Sequence, residues 1–258
     1  MIPLGTLAGS RYAAPASDWT PVDLPGLYAW YDAADEDTIV DNGGAVQSWE
    51  DKSGNGLTLR AGSLGAQTGA TSRNELNVLD FGGSGYMMTQ TPGDWAFLHN
   101  GTAVLVGIVF VPDSLSTMAI MDSGGLGLHT PGAGFGLLGT GEIRNLAGSQ
   151  SANMAVDNSS GAGTSPAAWQ AVTTLLDADA TPASARSRIW INSSGPYANN
   201  TSTASTTTAM RHPMRIGSQV DDTTPFTGSV AEVVIAASGE TDERAALASY
   251  LMTKWGIT

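Results

Sequence analysis

The run FTGSVAEVVIA, Phe226 to Ala236, constrains the fold of this chain more than any other stretch. Side chains alternate along a strand, so Ala231, Val233 and Ile235 share one face and Val230, Glu232 and Val234 the other. Both faces are largely apolar, and such a strand needs cover on both sides, unlike one in a sheet wetted on one face. The following segment, TDERAALASYLMTKWG from Thr241 to Gly256, supplies one cover. Thr241 is placed to act as N-cap, with Asp242 and Glu243 in the first turn, where the helix dipole favours negative charge. Lys254 falls in the last turn and Gly256 at the expected stop. Ala248, Leu251, Met252 and Trp255 follow an i, i+3, i+4, i+7 spacing and make one apolar stripe. The spacing predicts a helix over 241–255 lying on the strand.

Upstream, 32 glycines and 12 prolines, with Asn, Asp, Ser and Thr clustered between short apolar runs, predict many turns and short strands. A length of 258 residues suits one large all-β domain. Residues 1–24 show neither helical nor strand periodicity and are expected to form an extended N-terminal arm; residues 25–258 are the domain. Val104, Val106, Ile108 and Phe110 alternate with Leu105, Gly107 and Val109, predicting a second strand buried on both sides, as in the middle of a sandwich. Trp169 to Asp177 and Arg186 to Ser193 are strand-like runs joined by a loop containing Pro182, a hairpin signal. A short strand is expected around Phe135 to Leu138, and residues 149–165 and 199–209 are expected to be loops or edge strands. No fixed-period repeat is present, which argues against solenoids and propellers.

The formal charge of −13, from 24 acidic and 11 basic residues, opposes binding to nucleic acid or anionic membranes. The absence of cysteine excludes disulfide scaffolds, thiolate metal sites and cysteine nucleophiles. No apolar run approaches the ~20 residues that span a bilayer. The first residues, MIPLGTLAGSRYAAPASDW, lack a charged segment followed by a continuous apolar one, so a soluble chain without an export signal is expected.

Several motifs then stand in a telling order. GLYAWYDA and VQSWEDKSGNG open the domain, followed by LNVLDFGGSGYMMT, TAVLVGIVFVPDS, WQAVTTLLDADATPASARSRIWINSSG and MRIGSQVDDTTPFTGSVAEVVIA, with ER, YL and KWG closing it. Over residues 26–256 this resembles the concanavalin A-like lectin/laminin-G-like domains, in the version found in tailed-bacteriophage virion proteins. The resemblance implies a two-sheet antiparallel jelly-roll sandwich with one C-terminal α-helix. It further implies a structural virion component: a capsid decoration protein or a tail- or fibre-associated accessory protein. Such a protein would be made in the host cytoplasm and carried on the virion, partnered by capsid or tail proteins and by itself as a homo-oligomer such as a trimer. The alternative is a lectin-like module recognising host-surface glycans; a polysaccharide hydrolase is the third reading.

Retaining glycoside hydrolysis needs two carboxylates about 5 to 5.5 Å apart. The nearest sequence cluster, Glu240, Asp242 and Glu243, is explained by its place at a helix start, and no catalytic residue is assigned. His99, His129 and His212 lie in loop contexts without a G-x-S-x-G elbow. Calcium is the one ion with candidate oxygen ligands: Asp35, Glu36, Asp37 and Asp41 in the first acidic loop, Asp51 and Asn55 in WEDKSGNG, and Asp221 with Asp222. None has EF-hand spacing, and Asp51 is better read as a turn-forming residue whose side chain bonds nearby backbone. Sugar binding needs exposed aromatic platforms, for which Trp95, Tyr197 and Tyr86 are candidates. Trp30, Trp49, Trp190 and Trp255 belong to strands or the helix stripe and are assigned to structure, as is Glu232, expected to be a paired carboxylate.

Overall fold

Two strands buried on both faces lie side by side at the centre of the molecule, as their sequences require. The computed structural model describes residues 18–62, 64–124, 132–148, 154–163, 168–177, 179–202, 212–220 and 222–258. In chain order the first strands are β1 Leu27–Asp32, β2 Ile39–Asn42, β3 Ala45–Trp49, β4 Leu59–Ala61, β5 Ser72–Arg73, β6 Leu76–Asn77, β7 Leu79–Gly82 and β8 Met87–Met88. They are followed by β9 Val104–Pro112, β10 Met118–Asp122, β11 Gly132–Leu137, β12 Glu142–Gly148, β13 Met154–Gly163 and β14 Gln170–Leu176. The chain ends with β15 Ser187–Ile191, β16 Ser194–Tyr197, β17 Asn199–Ser202, β18 Arg215–Ile216, β19 Thr227–Ala236 and the helix α1 Thr241–Trp255.

The strands form two large antiparallel sheets. One runs β1-β19-β9-β14-β15-β16, with β7 also paired to β19. β7 lies along Thr227 to Val230 and β1 along Glu232 to Ala236, so two short strands share one edge of β19. The other runs β17-β13-β12-β11-β10-β18-β8-β4-β3-β2. The predicted hairpin is β14 with β15, Val172 opposite Ile191. The 149–165 region provides β13, between β12 and β17, and Asn199–Ser202 forms the edge strand β17.

Between the sheets lies a core that includes Tyr31, Trp49, Phe81, Phe110, Phe135 and Phe226. A second core fills the space under α1, with Leu105, Val109, Leu175 and Val234 of the sheet meeting Leu247, Leu251 and Trp255 of the helix. Full burial of each such side chain contributes about 1.5–3 kcal/mol. Gly107 lets the helix approach, because a Cβ there would lie 2.7 Å from Leu247 Cδ2 and 2.9 Å from Leu251 Cδ1.

Three expectations shift in detail. A β-bulge between Val230 and Glu232 sets two steps of β19 against one of β9. Simple alternation therefore fails: Val230 joins Val233 and Ile235 in the inter-sheet core, while Ala231 and Val234 pack beneath the helix. The N-cap is Glu240 rather than Thr241, and Ser238 Oγ, not a cap side chain, donates to Glu243. The buried helix stripe uses Leu247 with Ala248, Leu251 and Trp255, leaving Met252 half-buried. Gly256 ends the helix as expected, at φ 59° and ψ 44°.

The small β5–β6 hairpin closes the helix C-terminus. Arg73 Nε donates to the Trp255 carbonyl at 2.8 Å and Asn74 Nδ2 to the Lys254 carbonyl at 2.8 Å, satisfying carbonyls the helix leaves open. Of the expected arm, residues 1–17 lie outside the described residues. Pro21–Asp23 make one 3-10 turn, Leu24 is buried in the second core and Trp19 meets Tyr250 edge-on at 5.7 Å.

Candidate functional site

The first acidic loop and the WEDKSGNG turn are knitted together by their own oxygens. Asp51 Oδ1 accepts from the Trp30 and Ser53 amides at 3.0 and 2.9 Å, and Oδ2 from Ser53 Oγ and the Leu57 amide at 2.7 and 3.1 Å. Asn55 Nδ2 donates to the Tyr28 carbonyl at 2.9 Å. Both residues hold the turn against β1, the turn-forming role weighed for Asp51. Asp41 accepts from the Gly44 amide at 2.8 Å, and Glu36 and Asp37 sit exposed in a 3-10 turn. Asp222 is bonded to Arg215, while Asp221 and His129 lie outside the described residues. Among the described residues no group of three or more His, Asp or Glu is arranged to hold a metal ion. His99 is buried and His212 half-buried.

One glycan candidate is overturned. Trp95 is fully buried in the inter-sheet core, donates Nε1 to Thr89 Oγ1 at 3.0 Å and packs edge-on to Tyr28 at 5.4 Å, so it offers no platform. The 3-10 turn Pro92–Leu98 faces it inward, an orientation its loop-like sequence does not reveal. Tyr197 is half-buried on β16, an edge strand, and packs against the core.

Beneath the helix lies a buried ionic network. Glu232, fully buried, accepts from Trp30 Nε1 at 2.7 Å, Trp255 Nε1 at 2.7 Å, Tyr250 Oη at 3.1 Å and Lys254 Nζ at 2.9 Å. Lys254 Nζ also meets Asp32 Oδ1 at 2.6 Å, and Lys52 Nζ bridges Asp32 at 3.0 Å and Asp35 at 2.6 Å. Burial pushes the Glu232 carboxyl above the usual range, opposed by the Lys254 charge. Burial would lower the Lys52 ammonium, but its bonds to Asp35 and Asp32 outweigh this and raise it. Burial, then the Glu232 and Asp32 charges, raise Tyr250 far above its ordinary value. Each charged side chain here already has a partner on the protein, so the network joins β1, β19 and α1 rather than awaiting a ligand. Glu232 is thus the paired structural carboxylate expected from its place in the strand.

The opposite side of the molecule is different. α1 lies on the seven-stranded sheet, whereas around β4, β8 and β18 the outer face of the ten-stranded sheet carries half-exposed and exposed side chains. Opposite residues in antiparallel strands point to the same side. Ile216, Met87 and Ala61 stand in register and face the core, so Arg215, Met88 and Arg60, also in register, face outward. Tyr86 lies beside them, with the Arg215 guanidinium 4.1 Å over its ring. Gly62 makes room for that ring: a Cβ there would fall 2.1 Å from Tyr86 Cε2. Arg215 Nη1 donates to Asp222 Oδ1 at 2.6 Å and to the Gln219 carbonyl at 3.1 Å. Next in the row, Asp122 is fully buried and accepts from the Val220 amide at 2.9 Å, tethering the loop that carries Gln219. Tyr86 is half-buried, its hydroxyl has no hydrogen-bond partner among the described residues, and exposed Arg60 has no ion-pair partner among them. Sequence reasoning named Tyr86 and Asp222 separately; it missed Arg215 and Arg60, which only strand register brings to the same face.

No protein-family model matches this chain. No curated protein matches it either. Solved structures share its fold. Domain 4 of AbnA, a GH43 extracellular arabinanase from Geobacillus stearothermophilus solved with arabinotriose, aligns with TM-score 0.59 at 15% identity, covering 87% of this chain and 98% of that one. Trypanosoma rangeli sialidase in complex with sialic acid aligns with TM-score 0.57 at 16% identity, covering 89% of this chain and 34% of the sialidase. A structure described under the statement that cell entry of botulinum neurotoxin type C depends on interaction with two ganglioside molecules aligns with TM-score 0.57 at 10% identity, covering 88% and 51%. At such identities the likeness is one of fold alone, a two-sheet β-sandwich. It agrees with the jelly-roll class expected from the sequence motifs.

Proposed function

We propose that this chain is a non-catalytic, lectin-like glycan-binding module whose site is the outer face of the ten-stranded sheet around Tyr86. The observation that carries this reading is the stacked Tyr86–Arg215 pair beside Met88 and Arg60. An aromatic ring, an apolar floor and planar donors with free hydrogen-bonding capacity are what a sugar needs, since its hydroxyls bond in the ring plane while its C–H faces pack on apolar groups. The domains solved with arabinotriose and discussed for ganglioside interaction support the class of ligand through fold alone.

Turnover is not expected from this face. Asp122 is bonded to the Val220 amide and Asp222 to Arg215, so neither carboxylate stands free as acid or nucleophile. The carrier is proposed from the sequence motifs alone: a tailed-phage virion, on which a decoration or tail-fibre-associated module would display this face to host-surface glycans.

The test is a glycan array with the intact chain, followed by titration of the best oligosaccharide. Binding without release of reducing ends is expected, and Tyr86→Ala should weaken it about tenfold or more, the equivalent of losing one hydrogen bond and its packing. Undiminished binding by Tyr86→Ala, or steady sugar release, would refute the assignment.

A further inference from the structure

The row Arg60–Met88–Arg215 spans three adjacent strands, so about two strand spacings, ~10 Å, separate the two arginines. That leaves room for one sugar ring over the Met88 side chain. The arginines are not equivalent. Arg215 is largely buried, stacks on Tyr86 and gives Nη1 to Asp222, and the next residue in the row beyond it is the buried carboxylate Asp122. Arg60 is exposed, and its neighbours across the strands, Met88 and Ser48, carry no charge. The face therefore has a polarity: carboxylates at the β10–β18 side and an uncompensated guanidinium at the β4 side.

From this we infer that the site selects acidic glycans, docking a sugar carboxylate on Arg60 while the ring lies over Met88 and its hydroxyls meet Tyr86 and Arg215. This deepens the glycan-binding reading and rests on it. A carboxylate matches the guanidinium fork in geometry and charge, and the charge-assisted bonds that result are roughly twice as strong as neutral ones. The chain's formal charge of −13 sets a limit on the ligand. A long polyanion would be repelled by the rest of the surface, so the preferred partner carries one or two acidic sugars at a chain end, such as a terminal sialic or uronic acid.

The experiment pairs each sialylated or uronic-acid oligosaccharide with its neutral parent on one array, then titrates the best pair against wild type and Arg60→Gln. The acidic member is expected to bind about tenfold tighter than the neutral one in low salt, with the gap narrowing as ionic strength rises. In Arg60→Gln the gap should close, the acidic member losing about tenfold more affinity than the neutral one. Equal affinity for both members, with Tyr86 dependence intact, would overturn the acidic selectivity and leave the glycan-binding reading standing. A preference that survives in Arg60→Gln would also overturn the role given to Arg60. An array on which no saccharide binds would defeat the glycan-binding reading itself, and this inference with it.

Discussion

Lys254 decides how much the buried Glu232 costs. The carboxylate receives neutral donors from Trp30, Trp255 and Tyr250 and one ammonium, that of Lys254, which holds down a carboxyl raised by burial. Because the folded-state pKa lies above the unfolded one, Glu232 contributes stability that is fully present below the unfolded value and is lost as pH rises through the folded one. Lys254→Met removes the opposing charge and lifts the folded pKa further. The variant should lose about 3 kcal/mol at pH 7.5. The deficit should be smaller at pH 5 than at pH 7.5, because acid favours the neutral form of the raised carboxyl and so removes part of its unpaired charge. Urea unfolding of both proteins at the two pH values checks this; a deficit of the same size at both would rule out Glu232 as its source. A single charge inside an apolar strand made Glu232 legible as a paired residue from sequence. Its donor Trp30, 202 residues away along the chain, was not, since only the fold brings them together. Tyr86 and Trp95 show the same limit: both are aromatics in turn-rich segments, and only strand register and packing turn one outward and the other into the core.

At the scale of elements, β19, β9 and α1 were legible because burial on two faces and a helical stripe leave few other arrangements. What escaped was local. The bulge at Val230–Glu232 exchanges the faces of Val230 and Ala231 without any sequence mark, since both are small and apolar. β13 was legible only as a loop or an edge strand: its polar sequence, MAVDNSSGAG, does not mark it as a strand paired on both sides. Gly107 tests the fit of helix on sheet. Its Cβ position lies within 3 Å of Leu247 and Leu251, and its φ is not in the left-handed region, so a substitution strains packing and not backbone. Gly107→Val should therefore lift α1 from β9 and cost about 1–3 kcal/mol. Thermal unfolding would show it as a lowered Tm. Stability equal to wild type would mean that the helix is not seated as closely as the Gly107 contacts require.

Across the whole molecule the two sheets divide the work. The seven-stranded sheet is closed by α1 and the ionic network; among the described residues, nothing covers the outer face of the ten-stranded sheet around Tyr86. The order β10-β18-β8-β4 that builds this face joins segments far apart in the chain, so sequence motifs gave the sandwich without the site. If the division holds, stability and binding can be damaged separately. Gly62→Ala meets no backbone strain, yet its Cβ would overlap the Tyr86 ring, which must leave its present place against Arg215. That movement should cost about 1 kcal/mol of stability. It should weaken glycan binding about as much as Tyr86→Ala, because the ring is displaced and not merely trimmed. Lys254→Met should do the reverse, lowering stability severalfold more while the folded fraction keeps wild-type affinity, since its contacts with Asp32, Glu232 and Tyr250 lie on the far sheet. Titration calorimetry at a temperature where both variants remain folded separates the two effects. Loss of affinity in Lys254→Met, or full affinity in Gly62→Ala, would show that the open face does not act on its own.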